Sequence, residues 1–102
     1  MKNKLKADEK PKKAKKYLDT VSKISKEAND GYGIIRTAIC YGHYYALIGQ
    51  VDLGSEYDRK ALELSYKHDN DSFLGSILRN LATYEEHQGN YKGAIALMDS
   101  SA

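Results

Sequence analysis

The sequence predicts an all-α protein of stacked antiparallel helical hairpins, with about five helices, and three observations lead to this fold class. The chain resembles itself at a shift of forty residues, which is the mark of a repeat architecture. Apolar residues recur at spacings of three and four, as on one face of a helix. Tight Gly turns alternate with polar Asn/Asp stretches between the apolar segments. The identical pairs at this shift are Tyr17 with Tyr57, Ser25 with Ser65, Tyr44 with Tyr84 and Gly49 with Gly89.

The amino end is predicted to be a Lys-rich tail over residues 1–11, followed by a lone helix over 12–29. Pro11 suits a first helical position, because proline lacks the N–H that is unpaired there in any case. The apolar stripe of this helix comprises Ala14, Tyr17, Leu18, Val21, Ile24 and Ala28.

Two hairpins are predicted to follow, over residues 32–68 and 72–102, so that 12–102 forms one helical-repeat domain. The first hairpin has a helix over 34–48, a bend at Gly49 and a second helix; the next has a helix over 73–88, a bend at Gly89 and a helix from Tyr91. In the linkers "ANDG" and "KHDND", Asp and Asn can end one helix and cap the next. Such hairpins bury their apolar faces only by stacking on one another.

Charge is distributed unevenly, although the net charge is only +2. Residues 1–30 contain ten Lys and five acidic residues, whereas 31–102 contain six basic and nine acidic ones. The Lys-rich end could attract nucleic acid or anionic lipid, but such ends are more often solvated. No apolar run approaches the roughly eighteen residues of a membrane span and no signal peptide is recognisable, so we expect a cytoplasmic protein with no membrane span.

The sequence contains no pattern that indicates catalysis, a metal or a cofactor. Cys40 and His43 share a helical face and could form a thiolate–imidazole pair or half a metal site, but a structural role is the stronger interpretation. Cys40 is the only cysteine, which excludes an internal disulfide. The glycines of "GYG" at 31–33 and around Asn90 follow no strand, so linkers are favoured over phosphate loops. We therefore predict a non-enzymatic protein.

The stretch "LRNLATYEEHQGNYKGAIALM" resembles a tetratricopeptide repeat (TPR). The residues that match the motif are Leu78, Leu81, Ala82, Gly89, Tyr91, Ala94 and Met98, and in the preceding hairpin Gly42, Tyr45, Gly49, Ala61 and Leu62. Glu85, Ala38, Val51 and Gly54 depart from the pattern, and the usual Pro is absent. The forty-residue period is similar to a TPR variant of bacterial sensor and regulator proteins and some eukaryotic scaffold proteins. The resemblance covers 12–102 and implies a fragment of a right-handed α-solenoid.

This architecture predicts a protein–protein interaction module, which binds a peptide segment of a partner in a concave groove between helices 34–48 and 73–88. In the family, Asn before the Leu-Gly pair often holds the peptide backbone, and Asn80 has that place. The family's carboxylate clamp is not reproduced, since Ile39 and His43 replace its Lys and Asn. The predicted partner-binding residues are Arg36, Ile39, His43, Ser76, Arg79, Asn80, Thr83 and Glu86.

Two alternatives remain open at this point. The helix at 12–29 and the short last helix look like unfinished repeats, so the chain could be a spacer or self-assembly segment of a longer array, or a homo-oligomer. Less expected is nucleic-acid or membrane-surface binding through Lys2 to Lys16. In the favoured interpretation the chain is part of a larger regulatory or signalling protein, with no small-molecule substrate.

Overall fold

The computed structural model describes residues 9–88 and 97–98. These residues form four packed α-helices, and no strand occurs among them. The all-α prediction is therefore confirmed. The predicted fifth helix lies outside the described residues except for Leu97 and Met98, which are helical. The helices are α1 (Glu9–Glu27), α2 (Gly31–Leu47), α3 (Val51–Lys67) and α4 (Leu74–His87).

Two helices begin earlier than the sequence indicates. α1 begins at Glu9, so the end of the predicted tail is helical and Pro11 lies within the first turn rather than at its first position. Proline is tolerated there because the first four N–H groups of a helix have no intrahelical acceptor. The predicted linker "GYG" at 31–33 is wrong, because these residues form the first turn of α2.

The first three helices end in the same way, at positions twenty residues apart. Asn29, Gly49 and Asp69 have positive φ values of 51°, 90° and 48°. At each of them two backbone hydrogen bonds close a Schellman motif, as where Asp30 N–H donates to Ser25 O at 2.9 Å and Asn29 N–H to Lys26 O at 3.1 Å. The prediction that Gly49 bends the chain and that Asn or Asp ends a helix is confirmed. Gly89 lies outside the described residues.

The predicted side-chain caps at the helix starts are wrong. Asp30 occupies the N-cap of α2 without a side-chain hydrogen bond to the helix. Phe73, not an Asp or Asn, is the N-cap of α4. In that linker the Asn70 amide oxygen accepts from Ser72 N–H at 2.9 Å, which makes a local turn instead.

The core lies between α2, α3 and α4. Ile35 and Ala38 of α2 meet Ala61 of α3 and Ile77 and Leu81 of α4, and each is buried. α1 packs on α2, but much of its predicted stripe remains outside the core: Tyr17 is 71% exposed and Ile24 59%. The helix pairs in extensive contact, α1–α2, α2–α3 and α3–α4, are neighbours in sequence.

α2 and α3 approach each other most closely at two glycines. A Cβ atom added to Gly54 would lie 2.7 Å from Gly42 O, and one added to Gly42 would lie 3.0 Å from Gly54 O. Both distances are shorter than ordinary contacts to Cβ. A side chain at Gly42 or Gly54 would therefore require the two helices to move apart. This close approach fixes the floor of the groove described next.

Candidate partner-binding groove

A groove with a volume of about 540 Å³ opens between α2, α3 and α4. α2 contributes its last two turns, α3 its first two and α4 its second half. Two exposed contacts join α3 to α4: Tyr84 Oη donates to Asp52 Oδ1 at 2.7 Å, and Arg59 pairs with Glu85 at 3.3 Å. The ion pair gives Glu85 a structural partner at the position where the TPR pattern has an aromatic residue.

The rim of the groove near the α2–α3 turn is apolar and exposed. Leu47 is 84% exposed, and Val51 is also exposed. Both line the groove together with Ala46. These side chains offer an apolar surface beside the opening, which a partner's apolar atoms can cover.

The floor of the groove carries a buried acid, Asp58 of α3. Its relative exposure is 8%, and Oδ1 has no hydrogen-bond partner among the described residues. A Cβ atom added to Gly42 would lie 2.9 Å from this oxygen, so the carboxylate rests against the backbone of α2. Buried polar atoms are normally paired, because losing water without gaining a partner costs about 1–3 kcal/mol or more for a charged group.

Burial raises the pKa of Asp58 to about 6 from its ordinary value of 3.8. A side-chain hydrogen bond from Asn80 and the charge of His43 act in the opposite direction and lower this pKa, but they do not offset the effect of burial. Asp58 is therefore largely ionised at neutral pH. No Lys or Arg is among the described residues that line the groove, so none of them supplies a counter-charge of that kind.

The structure brings some of the predicted partner-binding residues to the groove and leaves others outside it. Three line it: His43, Asn80 and Thr83. Ile39 is half-buried and packs against the core instead. The hydroxyl of Thr83 donates to Arg79 O of its own helix at 3.0 Å. The predicted residues that are exposed and do not line the groove are Arg36, Ser76, Arg79 and Glu86.

Asp58 is the groove residue that sequence reasoning missed, although a signal was present. The positions Gly54, Asp58, Ala61 and Ser65 follow one another at spacings of four, three and four, and all four are buried. Asp58 is the charged member of this small-residue stripe, and the forty-residue shift aligns it with Met98. A carboxylate where the repeat has an apolar residue is the pattern that could have revealed it.

The tyrosine cluster Tyr41–Tyr45–Tyr57 forms a second polar region, at the contact of α1, α2 and α3. Tyr57 stacks on Tyr41 and Tyr45 with ring centroids 5.1 and 5.4 Å away. Tyr41 Oη donates to Asp19 of α1, and Lys15 pairs with the same carboxylate at 3.0 Å. The hydrogen bond from Tyr41 and then that from Lys15 hold the pKa of Asp19 below its ordinary value.

Comparison with known proteins gives no match to a family model, a curated protein or a solved structure. In the part of the chain that the structure describes, no group of three or more His, Cys, Asp and Glu residues is placed to hold a metal ion. Nor does any described helix combine the length and apolar character needed to cross a membrane.

Proposed function

We propose that the chain is a non-enzymatic protein-interaction module of the TPR type, which holds a peptide segment of a partner in the groove between α2, α3 and α4. The observation that carries this proposal is the groove itself: helices surround it, its rim near the α2–α3 turn is apolar, and polar side chains, among them the buried Asp58, line it. Binding sites commonly combine apolar lining with a few placed polar groups. The forty-residue repeat and the three equal helix ends support a solenoid-like stack, with a fifth helix, within a larger regulatory or signalling protein.

The groove residues divide the recognition of a peptide between them. The Asn80 side chain, half-buried at the groove, carries both a donor and an acceptor and can pair with both backbone groups of one extended residue. Leu47 and Val51 can cover an apolar side chain at the rim. Because all three stand on helices, little order has to be imposed on the protein when a peptide binds.

Selection of displayed peptides on the intact chain tests this function. Peptides that are recovered should bind wild type and lose at least about tenfold in affinity with Asn80→Ala, since about one hydrogen-bond pair is removed. Fluorescence anisotropy measures the affinity, and circular dichroism checks that helicity is unchanged. Arg79→Glu, outside the groove, tests whether the peptide extends past it along α4.

The matched control is Lys60→Ala, an exposed position of α3 that does not line the groove. It should leave peptide affinity unchanged. Failure to recover any peptide, or equal binding by wild type and Asn80→Ala, would overturn the proposal.

Self-association is a second candidate function, favoured by the exposed apolar side chains of α1, Tyr17 and Ile24. A second copy covering them would add the helix neighbour that α1 lacks among the described residues. Light scattering should then give a dimer mass for wild type and a monomer mass for Tyr17→Ser with Ile24→Ser. Leu97 is a poor choice for this test, because it packs against the core. Binding of nucleic acid or lipid by the Lys-rich amino end stays a weaker hypothesis.

A further inference from the structure

Asp58 gives the groove a chemical preference that the overall shape does not. We propose that the groove receives a basic side chain of the peptide, Lys or Arg, whose cationic head group binds Asp58 while its alkyl stem lies along Ala46, Leu47 and Val51. This assignment of the ligand class rests on the proposed peptide-binding function. Asn80, which we expect to recognise the peptide backbone, lies beside this site and can report on it.

The unpaired acceptor is the first step toward this assignment. Asp58 lines the groove and is 8% exposed, and its Oδ1 has no donor among the described residues. A ligand that brings a donor removes the cost of this unpaired atom, and a cationic donor also removes the cost of the buried charge. Guanidinium offers five N–H groups and ammonium three, whereas a carboxylate or a phosphate offers none when ionised.

The charges around Asp58 favour a cation over a neutral donor. The polar groups that line the groove around it are His43 on α2, Ser55 on its own helix, Asn80, Thr83, Tyr84 and His87 on α4, and Gln88 at the C-cap of α4. Of these groups, His43 is the one whose charge favours the ionised carboxylate and so lowers the pKa of Asp58. Burial has the larger effect, so this pKa is still raised. An arriving Lys or Arg therefore meets an acid that has no Lys or Arg partner among the described residues that line the groove, and whose burial His43 offsets only in part.

The walls of the groove suit the stem of such a side chain. Ala46, Leu47 and Val51 form an apolar path at the α2–α3 end, and Lys and Arg pack their alkyl stems on surfaces of this kind while the head group seeks a polar partner. Gly42 and Gly54 leave the floor free of side chains where the two helices touch. A partner with a short acidic or purely apolar side chain would leave Asp58 unpaired.

The experiment uses n-butylguanidinium chloride as the probe and n-pentanol as its neutral counterpart of similar length. NMR of the intact protein follows the side-chain amide of Asn80 and the carboxyl carbon of Asp58. Butylguanidinium should perturb both signals and lower the pKa of Asp58, because a bound cation favours the ionised acid. Pentanol should bind at least about tenfold more weakly, and Asp58→Asn should remove the preference for the cation.

Glu56→Gln is the matched control, since it removes an exposed acid of the same helix that does not line the groove. Its affinity for butylguanidinium should equal that of wild type, and dispersed spectra establish that both variants fold. Equal binding of the two probes, or unchanged cation binding by Asp58→Asn, overturns the assignment.

Peptides separate this inference from the function on which it rests. Replacing the basic residue of a selected peptide by norleucine should cost at least about tenfold in wild type and little in Asp58→Asn. Peptides that depend on Asn80 but not on Asp58 would overturn the basic-residue assignment and leave the peptide function standing. Butylguanidinium binding at Asp58 without any peptide binding would retain the cation site and overturn the peptide function.

Discussion

Two carboxylates in this chain, Asp19 and Asp58, have opposite surroundings. Asp19 lies on an exposed face of α1 and receives hydrogen bonds from Tyr41 and Lys15. Asp58 lies on the buried floor of the groove, and its Oδ1 receives none from the described residues. The pKa of Asp19 is accordingly lowered and that of Asp58 is raised. The region with paired groups joins two helices, whereas the region with the unpaired group faces an open groove.

The difference separates polar groups that the fold pairs within one chain from a polar group that, in our proposal, a partner would pair. Tyr41, Lys15 and Asp19 fasten α1 to α2 with contacts made inside one chain. In the groove, the same kind of acid is deprived of water by the close approach of α2 and α3, and no Lys or Arg among the described lining residues is paired with it. A stability optimum would place an apolar residue there, as the forty-residue shift does with Met98. We interpret the cost as the mark of a binding function.

The largest expected effect comes from Asp58→Asn, measured by urea unfolding across pH. The folded pKa, about 6, exceeds the ordinary value of 3.8, so the folded state binds a proton more tightly than the unfolded chain does. This group's contribution to stability is therefore fully present below about pH 4 and is lost as pH rises through 6. The free energy of unfolding of the variant, relative to that of wild type, should rise by up to about 3 kcal/mol between about pH 3 and pH 7.

Glu56→Gln, which replaces an exposed acid of the same helix, serves as the control variant for the pH series, since exposed substitutions of this kind usually change stability by no more than about 0.5 kcal/mol. For Asp19 the dependence of stability on pH has the opposite sign, because its folded pKa is lowered. Its contribution to stability is present at pH values above its ordinary pKa and is lost as the pH falls through the folded pKa. If the difference between Asp58→Asn and wild type did not depend on pH, the buried acid would not be strained and the comparison would fail.

A smaller effect is expected from Gly54→Ala, which would push α2 and α3 apart. The new Cβ would meet the backbone of Gly42 at 2.7 Å, and we expect a loss of about 1–3 kcal/mol in the free energy of unfolding. Because water would then reach the groove floor, the pKa of Asp58 should fall toward its ordinary value while that of Asp19 stays the same. Carbon NMR titration of the two carboxyl groups measures this.

Gly75→Ala is the matched control for Gly54→Ala. Nothing lies within 4 Å of a Cβ atom added to Gly75 in the first turn of α4, so alanine should be neutral or stabilise by about 0.5 kcal/mol. Equal stability of the two variants would show that the helices do not touch at Gly54 in solution.

The smallest effect is expected from Tyr41→Phe, which removes the hydroxyl group and keeps the stacked ring. The pKa of Asp19 should rise toward its ordinary value, since the hydrogen bond from Tyr41 is the largest cause of its lowering. Asp58 should titrate as in wild type, and the free energy of unfolding should change less than with Gly54→Ala. If the pKa of Asp19 were unchanged in Tyr41→Phe, the hydrogen bond from Lys15 alone would account for its lowering.

The sequence was sufficient to predict the four described helices and the turns that end the first three, because these depend on local periodicity and on the backbone freedom of Gly, Asn and Asp. The helix starts were less predictable: α2 begins with Gly31 and α4 follows Phe73, so their starts are not determined by a capping side chain. Asn80 was placed in the groove correctly in geometric terms, whereas Arg36 and Ser76 lie outside it. The role of Asn80 in binding stays a prediction.

Asp58 could not be predicted because its burial depends on tertiary packing. A charged side chain in a helix is ordinarily assigned to the solvent, since burying it costs several kcal/mol. Its exclusion from water comes from Gly42 on another helix, sixteen residues earlier in the chain, and from the approach of α4. The sequence pattern of α3 alone indicates neither the contact with Gly42 nor the approach of α4.

The sequence-neighbour packing of the helices has a consequence for the rate of folding. The extensive helix contacts join α1 to α2, α2 to α3 and α3 to α4, and each junction is closed by hydrogen bonds that span only a few residues. Contact order is therefore low, and little loop-closure entropy opposes the first contacts. We expect each helical pair to form soon after its second helix leaves the ribosome, and the burial of Asp58, begun when α2 and α3 meet, to be completed when α4 docks.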